Sequence, residues 1–222
     1  MGIKSVVNAD RLYWLGRYSE RVYTTLKLFA KSFDQLIEQV GGDHAAFCAS
    51  LDIPNIYADG DDFIAKYAFG TEDPNSIINN LNRAYDNAIE LREEIGSDTL
   101  AYIQLAVYEM NKARESDAPV IEFQKVSDDI LAFWGIVDDQ IDDENTRNII
   151  KVGKRVERLD LYARLRMGRV DMDREVCRLA GRIDRCDLRY RRESISNLRA
   201  LMRAEELDYP AIIRETERIL EV

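Results

Sequence analysis

From residue 12 to residue 40 one seam of positions advances by alternating steps of three and four: Leu12, Leu15, Ser19, Val22, Leu26, Phe29, Phe33, Leu36 and Val40. That spacing puts one side chain per turn on a single stripe of a helix. Held over about four heptads, the stripe needs neighbours along its whole length. A chain that opens this way is committed to packing long helices side by side. Nothing downstream competes, for 4 Pro and 11 Gly in 222 residues leave few breaks, and no segment alternates with the period of a strand. The expectation is an all-α helical bundle of about eight or nine helices, in a single domain over residues 1–222.

The remaining punctuation divides the chain further. Asn8 or Asp10 caps the first helix and Gly41-Gly42 stops it, while residues 43–70 hold one or two short helices broken at Pro54 and Asp59-Gly60. Asp73-Pro74 starts a helix with proline in its first turn, carrying Ile77, Leu81, Ala84, Ala88, Leu91 and Ile95 on one face. Gly96 ends it, and Ser97 or Asp98 caps the next, which runs to about Arg114. Pro119 opens a helix to about Asp139 through Val126, Ile130, Phe133, Trp134 and Val137. After the acidic turn Asp138–Asn145 come helices over 146–167, 171–188, 191–207 and 210–221.

Composition removes whole classes of chemistry. A single histidine, His44, leaves no Glu-x-x-His pair for a di-metal centre and no basis for most zinc, haem or Ser-His-Asp schemes. No P-loop or GxGxxG is present, so neither metal nor cofactor is expected. His44 reads as a capping or surface residue. Cys48, Cys177 and Cys186 form no CxxC and are odd in number, which points to a reducing, cytoplasmic setting; Cys177 and Cys186 read as small core fillers. No apolar run reaches the roughly 18 residues of a membrane helix, and Met1–Asp10 lacks a signal-peptide core. No membrane association is expected.

Charge is uneven. Residues 1–150 carry 13 Lys and Arg against 27 Asp and Glu, whereas residues 151–222 carry 18 against 14. The net charge of −10 argues against general nucleic-acid binding, which depends on neutralising phosphates. The arginines 174, 178, 182, 185, 189, 191 and 192 read as a solvated helix face paired with Asp184, Asp187 and Glu193; an acidic partner is the alternative.

One pattern occurs twice. Leu15-Gly16-Arg17-Tyr18-Ser19-Glu20-Arg21 and Val152-Gly153-Lys154-Arg155-Val156-Glu157-Arg158 share apolar, Gly, basic, two free positions, Glu and Arg, 137 residues apart. The seam register agrees as well, Leu12, Leu15, Ser19, Val22 and Leu26 matching Ile149, Val152, Val156, Leu159 and Ala163. Glycine inside a helix costs about 1 kcal/mol relative to alanine, so two in equivalent places need a reason. The glutamate four residues on shares the glycine's face and leans back over it. Two such helices face to face bring Glu20 and Glu157 into one concave site with Arg17, Arg21, Lys154 and Arg158, and with a hydroxyl such as that of Tyr13 on its rim. The opposing reading is bracing: the glycines let two helices cross closely, and opposite-helix arginines hold the glutamates.

These residues resemble a known family. Leu12-Tyr13-Trp14-Leu15-Gly16-Arg17-Tyr18-Ser19-Glu20-Arg21 is similar to the opening signature of the bacterial alpha-E domain family. So are Asp73-Pro74-Asn75-Ser76-Ile77 with the helix from Arg83-Ala84 to Leu91-Arg92-Glu93, and Gly153-Lys154-Arg155-Val156-Glu157-Arg158-Leu159-Asp160. Tyr85, Asp86 and Ile89 depart from the pattern. The resemblance spans about residues 5–168 and implies an all-helical protein working beside a circularly permuted ATP-grasp ligase and a transglutaminase-like protein, in amide or peptide bond formation. It adds Arg92 and Asp160 to the candidate ligand-binding residues. The expected function is an accessory or substrate-binding domain for the ligase. The alternatives are an enzyme of peptide amide chemistry, in which Glu20 and Glu157 act as acid and base, and a purely structural scaffold that forms a homo-oligomer.

One further motif competes. Asp138-Asp139-Gln140-Ile141-Asp142 matches a DDxxD pattern for magnesium diphosphate. No second such motif follows, and an acidic turn with Asp143 or Asn145 capping the next helix accounts for the run.

Overall fold

The seam folds as one helix. The computed structural model describes the backbone of residues 6–38 and 44–220 and the side chains of 6–29 and 44–220, and α1 runs over Val6–Glu38. Leu12, Leu15, Ser19, Val22, Leu26 and Phe29 are all buried. The side chains of Phe33 and Leu36, together with Val40 and the Gly41-Gly42 stop, lie outside the described residues. Asn8 and Asp10 lie inside α1, which is already under way at Val6, and not at its start.

The later elements are α2 (His44–Leu51), α3 (Gly60–Phe63), a π-helical turn (Ile64–Ala68), α4 (Ile77–Glu90), α5 (Arg92–Ile95), α6 (Ser97–Arg114), α7 (Pro119–Asp139), α8 (Glu144–Arg164), α9 (Arg169–Ile183), α10 (Arg192–Arg203) and α11 (Tyr209–Glu217). The class is all-α. Among the described residues the only extended pairing is an isolated bridge between Tyr190 and Leu220.

The surplus over the expected helix count comes from short pieces whose punctuation works differently from its reading in sequence. Gly60 starts α3 instead of breaking a helix, because Asp59 accepts the N–H of Asp62 as an N-cap. Pro74 does not enter α4. The Asp73 carboxylate accepts the Tyr57 hydroxyl at 2.6 Å and the Asn75 N–H at 2.8 Å, which turns the chain, and Ser76 then caps α4 through the Asn79 N–H. Asn79 donates back to the carbonyls of Thr71 and Asp73, closing the turn. Gly96, at φ 81°, is the residue that joins α5 to α6, a backbone conformation that favours glycine.

The chain divides into two compact units: residues 1–20 with 142–222, and residues 21–141. The first, the α8 unit, has α8 at its centre. Residues on every side of that helix are buried, including Lys151, Lys154, Glu157 and Asp160, and α9 and α11 pack on it. In the second unit α6 and α7 form a hairpin with α4 against α6. Beside them an aromatic cluster stacks Phe63 on Tyr67 at 5.2 Å and on Phe29 at 5.6 Å.

Candidate functional site

The two matching segments meet in the α8 unit, and they meet at their glycines. A Cβ built on Gly16 falls 2.0 Å from the Ile150 carbonyl oxygen and 3.0 Å from the Lys154 nitrogen. One built on Gly153 falls 2.1 Å from the Tyr13 oxygen and 3.1 Å from the Arg17 nitrogen. The two sets are the same positions in the two repeats, so α1 and α8 cross about a local pseudo-twofold, backbone on backbone. Each glycine turns a Cα–H toward the facing carbonyl, an arrangement suited to a Cα–H···O contact. The notch beside each glycine is therefore filled by the opposite helix.

The carboxylates sit beside this crossing and are sealed. Glu20 is 0% exposed and Glu157 1%. Arg158 Nε donates to Glu20 Oε1 at 2.6 Å and its Nη2 to Oε2 at 2.9 Å, a bidentate pair. Arg17 Nε donates to Glu157 Oε2 at 2.6 Å. Burial works against charge on Arg17 and Arg158, and the carboxylates of Glu157 and Glu20 more than offset it, so both guanidinium groups are held charged. Arg17 also lies over the Trp14 ring at 4.9 Å and the Tyr13 ring at 5.8 Å, and Trp14 stacks on Tyr18 at 5.2 Å. Tyr13 is buried, and its hydroxyl is raised by burial although Arg17 draws it down.

Lys154 occupies the place in α8 that Arg17 occupies in α1. Burial, and the cations Arg158, Arg155 and Lys151, push its ammonium down to about 7 against the pull of Glu20. Asp160 is buried; its Oδ2 accepts from Arg164 Nε at 3.0 Å, and its Oδ1 has no hydrogen-bond partner among the described residues. Arg164 reaches on to Glu217 of α11 at 3.0 Å. The remaining two candidates belong to the other unit: Arg92 donates to Ser97 Oγ, and the charge of Arg21 bears on the buried Tyr67 hydroxyl, lowering what burial raises.

Sequence reasoning missed a further buried carboxylate, Glu175 of α9, which is 1% exposed. It accepts Arg155 at 2.8 Å and Arg178 at 3.0 Å, with Arg158 at 3.9 Å. The signal was present, for Glu175 sits in phase with the buried stripe Met172, Val176, Leu179 and Ile183. Most of the tail arginines are exposed, as a solvated face requires, but their partners differ from the expected ones. Arg174 pairs with Asp171, Arg178 with Glu175, and Arg182 donates to the buried Asn148. Asp184 takes the Tyr190 hydroxyl and Asp187 meets Asn145. Arg174 and Arg178 thus find carboxylates one turn back on α9, while Arg182 reaches across to α8.

Two smaller expectations also change, and the capping expected of Asp143 holds. Cys177 is exposed, because its phase on α9 faces away from the stripe. His44 stacks on Phe63 at 5.9 Å rather than capping from solvent. Asp143 caps α8 through the Thr146 N–H, which engages one aspartate of the acidic run, and no group of His, Cys, Asp and Glu among the described residues is placed to hold a metal ion.

The fold and the crossing define an all-helical protein built on a helix pair locked by glycines and Glu-Arg clasps. Residues 8–202 match the Alpha-E family, described as "a predicted alpha-helical domain with a conserved ER motif", and the chain belongs to that family. Within that span the Glu-Arg dipeptide occurs at 20–21 and 157–158, the two halves of the crossing. No curated protein and no solved structure matches the chain.

Proposed function

We propose that this protein is an accessory helical domain that serves an ATP-grasp peptide ligase in amide bond formation, and is not a catalyst on its own. The observation that carries the accessory half of this reading is the sealing of Glu20 and Glu157, at 0% and 1% exposure, inside Arg clasps. A general acid or base has to come within hydrogen-bond reach of the group it protonates or deprotonates. A carboxylate clasped by arginine under a close helix crossing gives rigidity to a surface more readily than it gives chemistry. The ligase half rests on the resemblance of the three motif segments. On this reading the Glu-Arg pairs keep the α8 unit in one shape, and recognition belongs to the outer faces.

The test is affinity capture of the tagged full chain from its native cell, followed by mass spectrometry, then an ATPase assay of the recovered ligase. Co-purification of an ATP-grasp ligase whose ATP turnover rises on adding this protein is the expected result. Amide turnover by the purified protein alone, lost in Glu20→Gln with folding intact, establishes the enzymatic alternative instead.

A further inference from the structure

The unit formed by residues 21–141 carries an open groove of about 1090 Å³ between the π-helical segment, the turn that follows it, and the start of α7. Its floor and walls are mainly apolar, with Ile56, Ile64, Phe69, Pro119, Val120 and Ile121 contributing. Ile121 is 74% exposed and Ile56 57%, among the most exposed large apolar side chains described. The volume lies at the upper end of the roughly 300–1,000 Å³ of small-ligand pockets, and exposed apolar surface gathered in an open concavity marks an interaction site. A π-helical turn, a rare element that occurs frequently at functional sites, forms one wall.

The charges on the rim say what fits. Asp61, Glu72 and Asp117 line the groove, and none of them has an ion pair or side-chain hydrogen bond among the described residues. Of the two cations in the lining, Lys66 pairs with Asp62 at 2.8 Å, while Arg114 donates to the neutral Asn111 at 3.1 Å and keeps its charge, outnumbered by Asp61, Glu72 and Asp117. The whole unit has 9 Lys and Arg against 22 Asp and Glu. An apolar trough edged by unpaired carboxylates, in so acidic a unit, repels anionic ligands and draws cationic ones.

We infer that this groove docks a cationic amphipathic segment of a partner protein, its apolar side chains in the trough and its Lys or Arg residues against Asp61, Glu72 and Asp117. This is the helix-in-groove mode of recognition, and it holds whichever protein carries the segment, so it stands apart from the ligase assignment.

The test is fluorescence anisotropy at physiological salt with the full chain and a labelled 16-residue Leu/Lys amphipathic peptide. The comparison is a Leu/Glu peptide with the same apolar face. Ile56→Ser with Ile121→Ser removes the apolar lip without changing charge, and Asp61→Asn, Glu72→Gln and Asp117→Asn together remove the acidic rim. These side chains are exposed, and helix content by circular dichroism verifies folding. The Lys peptide is expected to saturate with one site, each set of substitutions weakening it by roughly tenfold or more, and the Glu peptide is expected not to bind. Absence of saturation below roughly 1 mM, equal binding of the Glu peptide, or full binding by the Ile56/Ile121 variant overturns the inference.

Discussion

At the residue scale, the crossing of α1 and α8 leaves no room for a single methyl group. Gly16→Ala and Gly153→Ala each drive a Cβ to about 2 Å from a backbone carbonyl. Urea denaturation is expected to show a loss of about 3 kcal/mol or more for either. Gly181→Ala, with open space around the new methyl group, is expected to stabilise by about 0.5–1 kcal/mol. The clasps obey a different rule. Glu157→Ala strands Arg17 in the interior and is expected to cost about 3–5 kcal/mol, whereas Arg17→Met with Glu157→Met removes both charges and costs less than the single change. Lys154 supplies a pH dependence. Its pKa falls from 10.5 to about 7 on folding, so between these values the unfolded chain holds the extra proton, and the contribution of Lys154 to stability rises with pH across that window. Below pH 7 both states are protonated and the full penalty remains. Lys154→Met is expected to raise stability at neutral pH and to remove a slope of at most about 1.4 kcal/mol per pH unit, read from melts at pH 7, 8 and 9.

At the scale of elements, the caps decide where helices begin. Asp143 satisfies the Thr146 N–H at the start of α8, the helix that carries most of the buried charge of its unit. Asp143→Ala is expected to cost about 1 kcal/mol in a thermal melt. Asp142→Ala, one residue away and exposed, stays within about 0.5 kcal/mol. The same contrast separates capping from the magnesium reading of the acidic run, which needs Asp142 as a ligand and not only Asp143 as a cap. α8 is also buried on all sides while bearing lysine, glutamate and aspartate. A helix of that composition stands in a protein interior only when its neighbours bring the opposite charges, and here Arg17 of α1 and Glu175 and Glu217 of α9 and α11 do so or lie one link away.

For the whole molecule, charge follows the division into units. Residues 21–141 hold 9 basic against 22 acidic residues, and the rest of the chain holds 22 against 19. Six arginines of the near-neutral unit, Arg17, Arg155, Arg158, Arg164, Arg178 and Arg182, are committed to Glu20, Glu157, Glu175, Asp160 and Asn148. Within the basic stripe Arg185, Arg189, Arg191 and Arg192 are exposed, as a solvated face requires. The net charge of −10 still opposes phosphate binding, and a titration of labelled duplex DNA at physiological salt is expected to show no saturation below about 100 µM, a range in which non-specific binders do associate. No helix among the described residues is long and apolar enough to cross a membrane.

Fold class, the long first helix, α7 from Pro119 to Asp139 and the equivalence of the Gly16 and Gly153 segments were legible in the order of residues, because periodicity, proline and glycine act locally. The partners of the charges were not. Whether Glu20 faces solvent, a ligand or Arg158 depends on what stands across from it 138 residues away, and one helix carries no information about its neighbour's register. The same holds for Ser76 taking the cap from Asp73, a choice made by Tyr57 reaching the Asp73 carboxylate, and for a groove assembled from residues 56–73 and 114–121. Sequence fixes local conformation through short-range sterics and the spacing of apolar groups; only tertiary contact decides which charges are desolvated, and with whom.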